Sequence, residues 1–346
     1  MISSVNAQIG DKSYDTGFHV TTPNPWNIQK FLRKAADSGS QYFVLEATSH
    51  GLDQNRLAFI DFKVAAVTNI THEHLDYHKT WENYARSKAR LFSGVRFSIL
   101  NRDDLRSYQF LKKRVHGQII TYSLKGKTDF NLANFPIKLK IRGSYNLANA
   151  LSAAATCSVL GIGKRVIIKA LSNFPPVVGR MEEVDHGQDF KVIVDFAHTP
   201  NALEQALKTL KSKIKNQKSK IICVFGAAGE RDRTKRPLMG KIAAKYADYM
   251  VVTAEDPRSE KVEDIMDQIA QGIKSHGKKE GKDFYKIADR REAIKFAIVN
   301  LAKKGDIVAT FGKSHEKSMT YGKQDLPWNE FEAAHFAIKL KLKNEQ

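Results

Sequence analysis

Apolar runs of strand length alternate with helical patterns along the whole chain, and no other feature constrains the fold as strongly. Strand-like runs lie near residues 42–47, 63–69, 97–101, 118–123, 190–195, 220–225, 249–253 and 306–311. Helix-like stretches separate them, including one over 146–155 and another that ends near 172. Such alternation is typical of parallel sheets covered by helices and argues against all-α and all-β folds. The sequence therefore predicts an α/β protein with doubly wound parallel sheets.

Polar side chains follow two of the predicted strands at the point where each strand ends. The run 42–45 is predicted to be a buried parallel strand, and it leads into the polar turn 46–51. The run 64–67 leads into residues 68–78, which contain three histidines and two carboxylates. Ligands of open α/β sheets bind outside the carboxyl ends of the strands. These polar groups are therefore placed for metal or phosphate chemistry.

The length of 346 residues suits two domains, each with its own core. The strongest interruption of the pattern is the sequence Phe-Pro-Pro-Val-Val-Gly at 174–179. Two prolines and a glycine are typical of a linker. We therefore predict one domain over 1–176 and a second over 177–346.

Composition excludes several classes of protein. The net charge of +19 would attract nucleic acid, but the lysines are dispersed and recognised nucleic-acid motifs are missing, so a solvated surface is the favoured interpretation. No apolar run is long enough to span a membrane, and the N-terminus lacks the features of a signal peptide. Cys157 and Cys223 lie in apolar patterns, as expected of buried reduced thiols. We expect a cytoplasmic protein without a nucleic-acid or membrane partner.

The motifs resemble those of the Mur ligases, in particular the enzymes that add the third amino acid to UDP-N-acetylmuramoyl-dipeptide in peptidoglycan synthesis. The family sequence Glu-x-Ser-Ser-His-(Ala/Gly)-Leu corresponds to residues 46–52, and Thr-Asn-(Leu/Ile)-x-x-(Asp/Glu)-His-Leu-Asp-(Tyr/Phe)-His corresponds to residues 68–78. The resemblance implies a truncated central ATPase domain, with a parallel sheet and flanking helices, over 1–176. A Rossmann-like C-terminal domain over 177–346 would follow, in a ligase that serves cell wall biogenesis, cell shape and cell division.

A Mur ligase also has a Gly-x-x-Gly-Lys-Thr loop, the P-loop, which cradles the phosphates of ATP. This sequence contains no such motif. Residues 1–7 align by pattern just after the helix of that loop, so we expect the P-loop and the family's N-terminal UDP-binding domain to be absent from the chain. The open alternatives are a fragment, an incorrectly started reading frame, and a separate polypeptide that supplies the P-loop. We expect the chain by itself to bind ATP poorly and to turn over little.

The resemblance implies a ligase centre that uses ATP and Mg²⁺. Such an enzyme activates a carboxylate as an acyl phosphate, which an amine then attacks, and metal ions neutralise the phosphate charge. By resemblance, Glu46, His74 and Lys88 are the catalytic metal site, with Lys88 as a carbamate that supplies oxygen ligands. The alternatives are a histidine that caps its own loop and a lysine that is simply solvated.

The resemblance assigns further residues to three ligands. Those assigned to the nucleotide are Asn69, Asn146, Asn149, Arg180, Asp195 and His198. Those assigned to the UDP-sugar peptide are Thr21, Thr22, Ser49, Gln54 and Arg56. Those assigned to the incoming amino acid are Arg231, Asp256, Arg258, Gly312 and Glu316. The hydroxyl-rich turn before Pro23 needs no ligand to exist, whereas the fork of Arg56 matches a carboxylate.

Two motifs depart from the pattern of the enzymes that add meso-diaminopimelate. The family sequence Asp-Asn-Pro-Arg is replaced by Glu-Asp-Pro-Arg at 255–258, and Gly-Lys-Gly-His-Glu is replaced by Gly-Lys-Ser-His-Glu at 312–316. Arg258 is kept and suits the distal carboxylate of diaminopimelate, whereas the extra negative charge of Asp256 favours a cationic side chain. We expect meso-diaminopimelate or a related diamino acid, and lysine stays an open alternative.

The leading hypothesis is an ATP-dependent amide-bond ligase, or its catalytic core, that adds a diamino acid to UDP-N-acetylmuramoyl-L-alanyl-D-glutamate. A second hypothesis is a Mur-like ligase with another acceptor. A third, of a different class, is a non-catalytic binding protein that kept the substrate pockets and lost the P-loop. A nucleic-acid-binding protein is the least favoured hypothesis.

Overall fold

The computed structural model describes residues 1–16, 21–71, 73–141, 143–214 and 218–345. The chain divides into two compact units. The N-terminal unit comprises Met1–Ile70, His78–Ile137 and Ala148–Ala170, and the C-terminal unit comprises Thr71–Tyr77, Lys138–Leu147 and Leu171–Gln346. The domain boundary predicted at 176 stays a prediction.

The first half of the chain contains a short antiparallel hairpin, a three-stranded parallel sheet and seven α-helices among the described residues. The strands are β1 (Ala7–Ile9), β2 (Lys12–Tyr14), β3 (Val64–Val67), β4 (Phe97–Asn101) and β5 (Gln118–Tyr122). The helices are α1 (Pro25–Asp37), α2 (Ser49–Asp53), α3 (Leu75–His78), α4 (Trp81–Ala89), α5 (Leu105–Lys112), α6 (Ser144–Val159) and α7 (Lys164–Asn173). The hairpin pairs β1 with β2, and the sheet has the order β3-β4-β5. The strands predicted near 63–69, 97–101 and 118–123 are confirmed.

Local signals explain why these helices start where they do. The side chain of Asn24 accepts a hydrogen bond from the backbone N–H of Asn27, and Pro25 occupies the first turn of α1. Ile28, Phe31 and Ala35 form the buried stripe of that helix. This spacing of three and four residues is the pattern of a helix that covers a core on one side.

The prediction of a buried strand at 42–45 is wrong. The segment makes one parallel bridge, between Ile2 and Leu45, and it is otherwise unpaired in the described part of the chain. Val44 is 67% exposed and Tyr42 is 54% exposed. An apolar run encourages extended backbone, but burial also requires packing partners on both sides.

The second half of the chain forms a six-stranded sheet with the order β10-β9-β8-β11-β7-β6. Its strands are β6 (Glu182–Val184), β7 (Lys191–Asp195), β8 (Ile221–Phe225), β9 (Tyr249–Val252), β10 (Phe284–Lys286) and β11 (Ile307–Phe311). All neighbouring pairs are parallel except β6 with β7. An antiparallel hairpin of β12 (Ser318–Tyr321) and β13 (Gln324–Pro327) follows.

Helices cover both faces of this sheet. They are α8 (Pro200–Lys213), α9 (Lys235–Tyr246), α10 (Val262–Lys274), α11 (Arg290–Phe296), which continues as a π-turn, and α12 (Glu330–Asn344). Within β8, Cys223 belongs to the apolar cluster on one face, whereas Ile222 and Val224 belong to the cluster on the other face. Coverage of both faces explains why these strands are continuous apolar runs in the sequence. The four strands predicted in this half are confirmed.

Other sequence-based expectations can be compared with the described residues. Cys223 is a buried free thiol, and Cys157 is a free thiol that is only partly buried. No helix in the described ranges is both long enough and apolar enough to cross a membrane.

Candidate functional site

Four loops at the carboxyl ends of β7, β8, β9 and β11 carry most of the residues predicted for the second domain. The residues placed there are Asp195, His198, Arg231, Asp256, Arg258, Gly312 and Glu316. Neighbouring parallel strands end at the same edge of a sheet, which is where open α/β folds bind ligands. The C-terminal unit therefore gathers these seven residues at one edge.

Backbone hydrogen bonds join the loop after β9 to the loop after β8 and to strand β12. The N–H of Gly229 donates to the carbonyl of Asp256 at 2.9 Å, and the N–H of Arg258 donates to the carbonyl of Thr320 at 3.0 Å. A Cβ atom at Gly229 would lie 1.9 Å from the carbonyl oxygen of Pro257. Only glycine permits this close approach between the loops after β8 and β9.

A buried ammonium links two of the predicted carboxylates. The side chain of Lys313 is fully buried, and its Nζ lies 2.8 Å from Asp256 Oδ1 and 2.8 Å from Glu316 Oε2. Asp256 Oδ1 also accepts the backbone N–H of Thr320 at 2.9 Å. The charge of Asp256 is therefore directed toward Lys313, which the sequence analysis did not assign.

Two guanidiniums, those of Arg231 and Arg258, lie on the loops after β8 and β9. In the described part of the chain, neither Arg231 nor Arg258 forms an ion pair or a side-chain hydrogen bond. Partial burial lowers the pKa of Arg231, and the like charge of Arg258 lowers it further. Arg258 has a φ of +53° and Asp256 has a φ of +43°, both in the left-handed region. Unpaired guanidiniums held this way are suited to bind a carboxylate or a phosphate.

Asp195 organises the loop after β7. Its Oδ2 accepts the N–H of Met181 at 2.8 Å, and its Oδ1 accepts the N–H of Ala197 at 2.9 Å. Burial raises the pKa of this carboxyl, although the two hydrogen bonds oppose the shift. Asp195 therefore has a structural task whether or not it contacts a nucleotide.

His198 is held by a carboxylate that the sequence analysis did not single out. Its Nδ1 lies 2.9 Å from the carbonyl of Phe196, and its Nε2 lies 3.4 Å from Glu73 Oε1. Burial by itself would lower the pKa of His198, but the hydrogen bond and charge of Glu73 raise it overall. Burial would raise the pKa of Glu73, yet His198, His74 and Lys235 bring it down to about 2. The family motif at 68–78 has an acidic residue at the position of Glu73, and this was the sequence signal that could have identified it.

Glu255 is a second unassigned carboxyl at this edge. Its Oε2 is buried and has no hydrogen-bond partner among the described residues. Burial raises the pKa of this group, although the charges of Lys235 and His198 oppose the shift. A Cβ atom at Gly312 would lie 2.2 Å from Glu255 Oε2, and Gly312 has a φ of +105°. The predicted contact residue Gly312 is thus required by the packing of Glu255.

The residues predicted to bind the nucleotide are distributed over both units. In the C-terminal unit, the guanidinium carbon of Arg180 lies 4.7 Å from the ring centroid of Phe196. Asn146 lies in the first turn of α6 in the same unit, and Asn149 is exposed on the part of α6 that belongs to the N-terminal unit. Asn69 is exposed just after β3. Their nucleotide contacts stay a prediction.

The three residues of the predicted metal site are also divided between the units. In the N-terminal unit, Glu46 Oε2 accepts the N–H of Ser4 at 2.8 Å, and Lys88 Nζ lies 5.4 Å from the ring centroid of Tyr84. In the C-terminal unit, His74 Nε2 lies 3.7 Å from Glu73 Oε1. Among the described residues, no group of three or more His, Cys, Asp and Glu side chains is suited to hold a metal ion. The metal site stays a prediction, and His72 lies outside the described residues.

Ser49 and Thr22, predicted to contact the UDP-sugar peptide, use their hydroxyls within the protein. Ser49 Oγ lies 3.0 Å from His78 Nε2, and the ring of His78 stacks on Tyr84 with centroids 5.3 Å apart. Thr22 Oγ1 donates to the carbonyl of Glu46 at 3.1 Å. Both residues are buried. These contacts give Ser49 and Thr22 a role in the turn around Glu46.

Gln54 and Arg56 are adjacent in the same unit. Arg56 Nε donates to Gln54 Oε1 at 2.9 Å, and Arg56 Nη1 donates to the carbonyl of Thr22 at 2.8 Å. Thr21 is partly exposed beside them. The structure thus brings Thr21, Thr22, Gln54 and Arg56 into one small region of the N-terminal unit.

Comparison with known proteins shows the family to which the chain belongs. The Mur ligase middle domain matches residues 1–157, and the Mur ligase glutamate ligase domain matches residues 179–314. The UDP-N-acetylmuramoyl-L-alanyl-D-glutamate--2,6-diaminopimelate ligase of Geobacillus thermodenitrificans is 37% identical over 98% of this chain and 73% of its own length. The chain belongs to the Mur ligase family. The UDP-N-acetylmuramyl-tripeptide synthetase of Roseiflexus sp. is 36% identical over 98% of this chain and 72% of its own length.

Solved Mur ligase structures share the fold. A UDP-N-acetylmuramoyl-L-alanyl-D-glutamate--2,6-diaminopimelate ligase is 32% identical, with a TM-score of 0.56 over 93% of this chain and 69% of that chain. The UDP-N-acetylmuramate-alanine ligase of Thermotoga maritima is 18% identical, with a TM-score of 0.55 over 86% of this chain and 62% of that chain. The predicted family and fold class are therefore confirmed.

One departure from the Mur ligase motifs has a structural explanation. Ser314 replaces the second glycine of Gly-Lys-Gly-His-Glu and has a φ of +47°, in the region that favours glycine. Its hydroxyl donates to the carbonyl of Gly179 at 2.6 Å. This buried hydrogen bond offsets part of the backbone strain, because strain and one hydrogen bond are each worth about 1 kcal/mol.

Proposed function

We propose that this Mur ligase chain forms the catalytic core of an ATP-dependent amide-bond ligase. Its acceptor would be UDP-N-acetylmuramoyl-L-alanyl-D-glutamate, and its amino acid meso-diaminopimelate or a related diamino acid. The observation that carries the proposal is that Arg231 and Arg258, which form no ion pair among the described residues, lie at the same edge of the sheet as the Lys313–Glu316 ion pair. Guanidiniums suit a carboxylate, and a carboxylate such as Glu316 suits an ammonium. Relatives named for this reaction align over nearly the whole chain.

The reaction joins an amine to an activated carboxyl group. The acceptor carboxylate becomes an acyl phosphate, the amine attacks its carbon, phosphate leaves and the nitrogen loses a proton. In this proposal Arg231 and Arg258 bind carboxylates of the incoming amino acid and Glu316 binds its distal ammonium. ATP would supply the phosphoryl group, and Mg²⁺ would neutralise its charge. Asn69, Asn146, Asn149, Arg180, Asp195 and His198 are proposed to contact the nucleotide.

Glu46, His74 and Lys88 are the proposed Mg²⁺ site, with Lys88 as a carbamate. A carbamate forms from CO₂, so turnover by an active form should depend on bicarbonate. Lys88→Ala should reduce kcat by more than about 100-fold, because the transferred phosphoryl group would lose charge stabilisation. Lys30→Ala, at an exposed lysine of α1, is the control and should change kcat less than about twofold. Bicarbonate independence of the parent enzyme would argue against the carbamate.

The phosphates of ATP need a P-loop, which the 346 residues do not contain. We propose that a segment encoded upstream, or a separate polypeptide, supplies it. Calorimetric titration with Mg·ATP should show weak binding to the 346-residue protein and at least about tenfold tighter binding once the segment is present. Strong binding and amino-acid-dependent ADP release by the 346 residues alone would contradict this proposal.

A non-catalytic protein that binds the same substrates is the second candidate. The two candidates differ in one measurement. If the P-loop segment is supplied and the protein binds the UDP-dipeptide without releasing ADP, the binding protein is supported and the ligase is rejected.

Arg258→Ala is the decisive test of the amino acid. Losing a bidentate partner in a shielded site costs about 2–5 kcal/mol, so kcat/KM for diaminopimelate should fall at least about 30-fold. Lysine, which lacks the distal carboxylate, should be affected far less. Arg233→Ala is the matched control, because Arg233 is exposed and already pairs with Glu260 at 3.2 Å. An unchanged ratio between the two amino acids would reject diaminopimelate while leaving the ligase proposal intact.

A further inference from the structure

Lys313 is the one ammonium of the described residues that lies between two predicted amino-acid contacts. Its side chain is 0% exposed, so it cannot turn toward solvent, and it bonds Asp256 and Glu316 at 2.8 Å each. Asp256 is joined to it from the loop after β9, and Glu316 from the loop after β11. Without Lys313, the carboxylates of Asp256 and Glu316 would repel each other at this edge of the sheet.

The two carboxylates differ in what they offer to a ligand. The side chain of Asp256 is 9% exposed, and its Oδ1 already accepts from both Lys313 and Thr320. The side chain of Glu316 is 22% exposed. Glu316 is therefore the carboxylate that reaches the surface, whereas Asp256 acts through its charge.

The charges of this cluster decide which amino acid is attracted. Asp256, Lys313 and Glu316 together carry a net charge of −1, from two carboxylates and one ammonium. Without Lys313 the net charge would be −2. That charge would lie near Arg231, on which Asp256 already acts electrostatically, and it would weaken the attraction of a carboxylate.

We propose that Lys313 is a specificity-determining residue, which rests on the proposed function. The ammonium of Lys313 neutralises the negative charge of Asp256, which stands where the family has an asparagine. The charge of Asp256 therefore does not attract the cationic side chain of a competing amino acid. The site then keeps its preference for a side chain that ends in both a carboxylate and an ammonium. Lysine, whose side chain ends in an ammonium alone, is disfavoured because Arg258 finds no distal carboxylate on it.

The test compares Kd values for meso-diaminopimelate and L-lysine by ligand-observed NMR on the full 346-residue chain. The variants are Lys313→Met, with a cluster charge of about −2, and Lys313→Met with Asp256→Asn, which restores about −1. Lys313→Met should shift the Kd ratio at least about tenfold toward lysine. The double variant should return the ratio to within about threefold of the parent.

Two controls separate charge from misfolding. Lys341→Met removes another largely buried ammonium, which donates to the carbonyl of Ala302 at 2.9 Å, and should leave the ratio unchanged. Asp256→Asn alone keeps the Lys313–Glu316 pair and should move the ratio toward diaminopimelate by less than about threefold. Melting temperatures of all variants are recorded, and the double variant carries the test if Lys313→Met does not fold.

The outcomes are distinguishable. If the parent binds neither amino acid, the proposed function fails and this inference fails with it. If the parent prefers diaminopimelate but folded Lys313→Met keeps the same ratio, this inference alone is overturned. If the double variant folds but its Kd ratio differs from that of the parent by more than about tenfold, the charge of Lys313 does not set the preference.

Discussion

The two units differ in how firmly the fold holds their predicted site residues. In the C-terminal unit, strands β8 and β11 are buried along their whole length, and backbone hydrogen bonds join the loop after β8 to the loop after β9 and the loop after β11 to the end of β7. In the N-terminal unit, β3 has one exposed residue, Ala66, and the run 42–45 exposes Tyr42 and Val44. A sheet covered on both faces fixes the loops at its edge, because its strands cannot shift without opening a core on each side.

The polar groups show the same contrast. Lys313, Asp256 and Arg290 are buried and form ion pairs at or near the edge of the large sheet. Glu46, Asn69 and Asn149 are exposed in the N-terminal unit. A site made of buried, paired groups is preorganised, whereas exposed side chains take their final positions when a ligand binds. The contrast can be tested by paired substitutions in the two units.

The largest difference is expected for buried and exposed ion pairs. Arg290 and Glu330 are both 0% exposed, with Nη2 and Oε1 2.6 Å apart, and Arg290 also donates to the carbonyl of Phe311. Arg290→Met would leave a buried carboxylate unpaired and should cost about 3–5 kcal/mol of unfolding free energy. Arg33→Met, which breaks an exposed pair with Asp37, should cost less than about 1 kcal/mol. Hydrogen exchange of β11 and α1 measures the loss of stability in each variant. Equal losses would mean that the two units do not differ in this respect.

Glycine packing should give the next largest difference. Gly229→Ala would bring a Cβ against the carbonyl of Pro257 and force two loops apart, at a cost of about 1–3 kcal/mol. Gly163 has nothing within 4 Å of an added Cβ, so Gly163→Ala should change stability by less than about 1 kcal/mol. Urea unfolding followed by circular dichroism checks both variants. A neutral Gly229→Ala would mean that the loops after β8 and β9 are not tightly held.

The Glu73–His198 pair should make stability depend on pH by a smaller amount. The pKa of His198 is raised in the folded protein. The pair therefore contributes to folding stability below pH 6.5, the ordinary pKa of histidine, and this contribution is lost as the pH rises through the raised pKa. Glu73→Gln should therefore cost more at pH 6 than at pH 9, by less than about 1 kcal/mol, because both side chains are partly exposed.

NMR titration of the imidazole is the direct measurement for this pair. In the parent, the pKa of His198 should lie above 6.5, and in Glu73→Gln it should fall below 6.5 because burial then dominates. Glu183→Gln, which removes an exposed partner of Lys191, is the control and should leave the titration unchanged. An unaltered His198 pKa in Glu73→Gln would show that the contact is absent in solution.

The smallest effect is expected at the exposed run. Val44→Thr should change the unfolding free energy by less than about 0.5 kcal/mol, because Val44 is already 67% exposed. Val224→Thr in β8 buries a hydroxyl on a fully covered face and should cost about 1–3 kcal/mol. Urea unfolding measures both. A cost at Val44 that approaches the cost at Val224 would mean that a partner covers the run in solution.

Much of the fold could be predicted because strand and helix periods are local properties of the sequence. The runs at 220–225 and 306–311 are continuous apolar strands, which is the pattern of a parallel sheet covered on both faces. The run at 42–45 has the same composition and was predicted to be buried, yet the only bridge to it in the described ranges comes from Ile2. Composition reports a tendency to be buried, whereas burial depends on which segments pack nearby.

The roles of the predicted site residues stay predictions, whereas their family and their positions in the fold can be compared with the sequence. The sequence motifs identified Arg231, Arg258 and Glu316 and led to the Mur ligase family, which the comparisons confirmed. The roles of Glu73 and Lys313 were not predictable from spacing. Lys313 lies 57 positions from Asp256 in the sequence, and no local pattern relates the two.

The sequence by itself determined the alternation of strands and helices, the residue types at the strand ends and the membership of the family. The tertiary structure alone decided which charges pair: Lys313 with Asp256 and Glu316, and Glu73 with His198. The physical reason is that hydrophobic periodicity is expressed over a few neighbouring residues, whereas an ion pair depends on distance and burial. Those quantities exist only once the loops at the edge of the sheet have packed together.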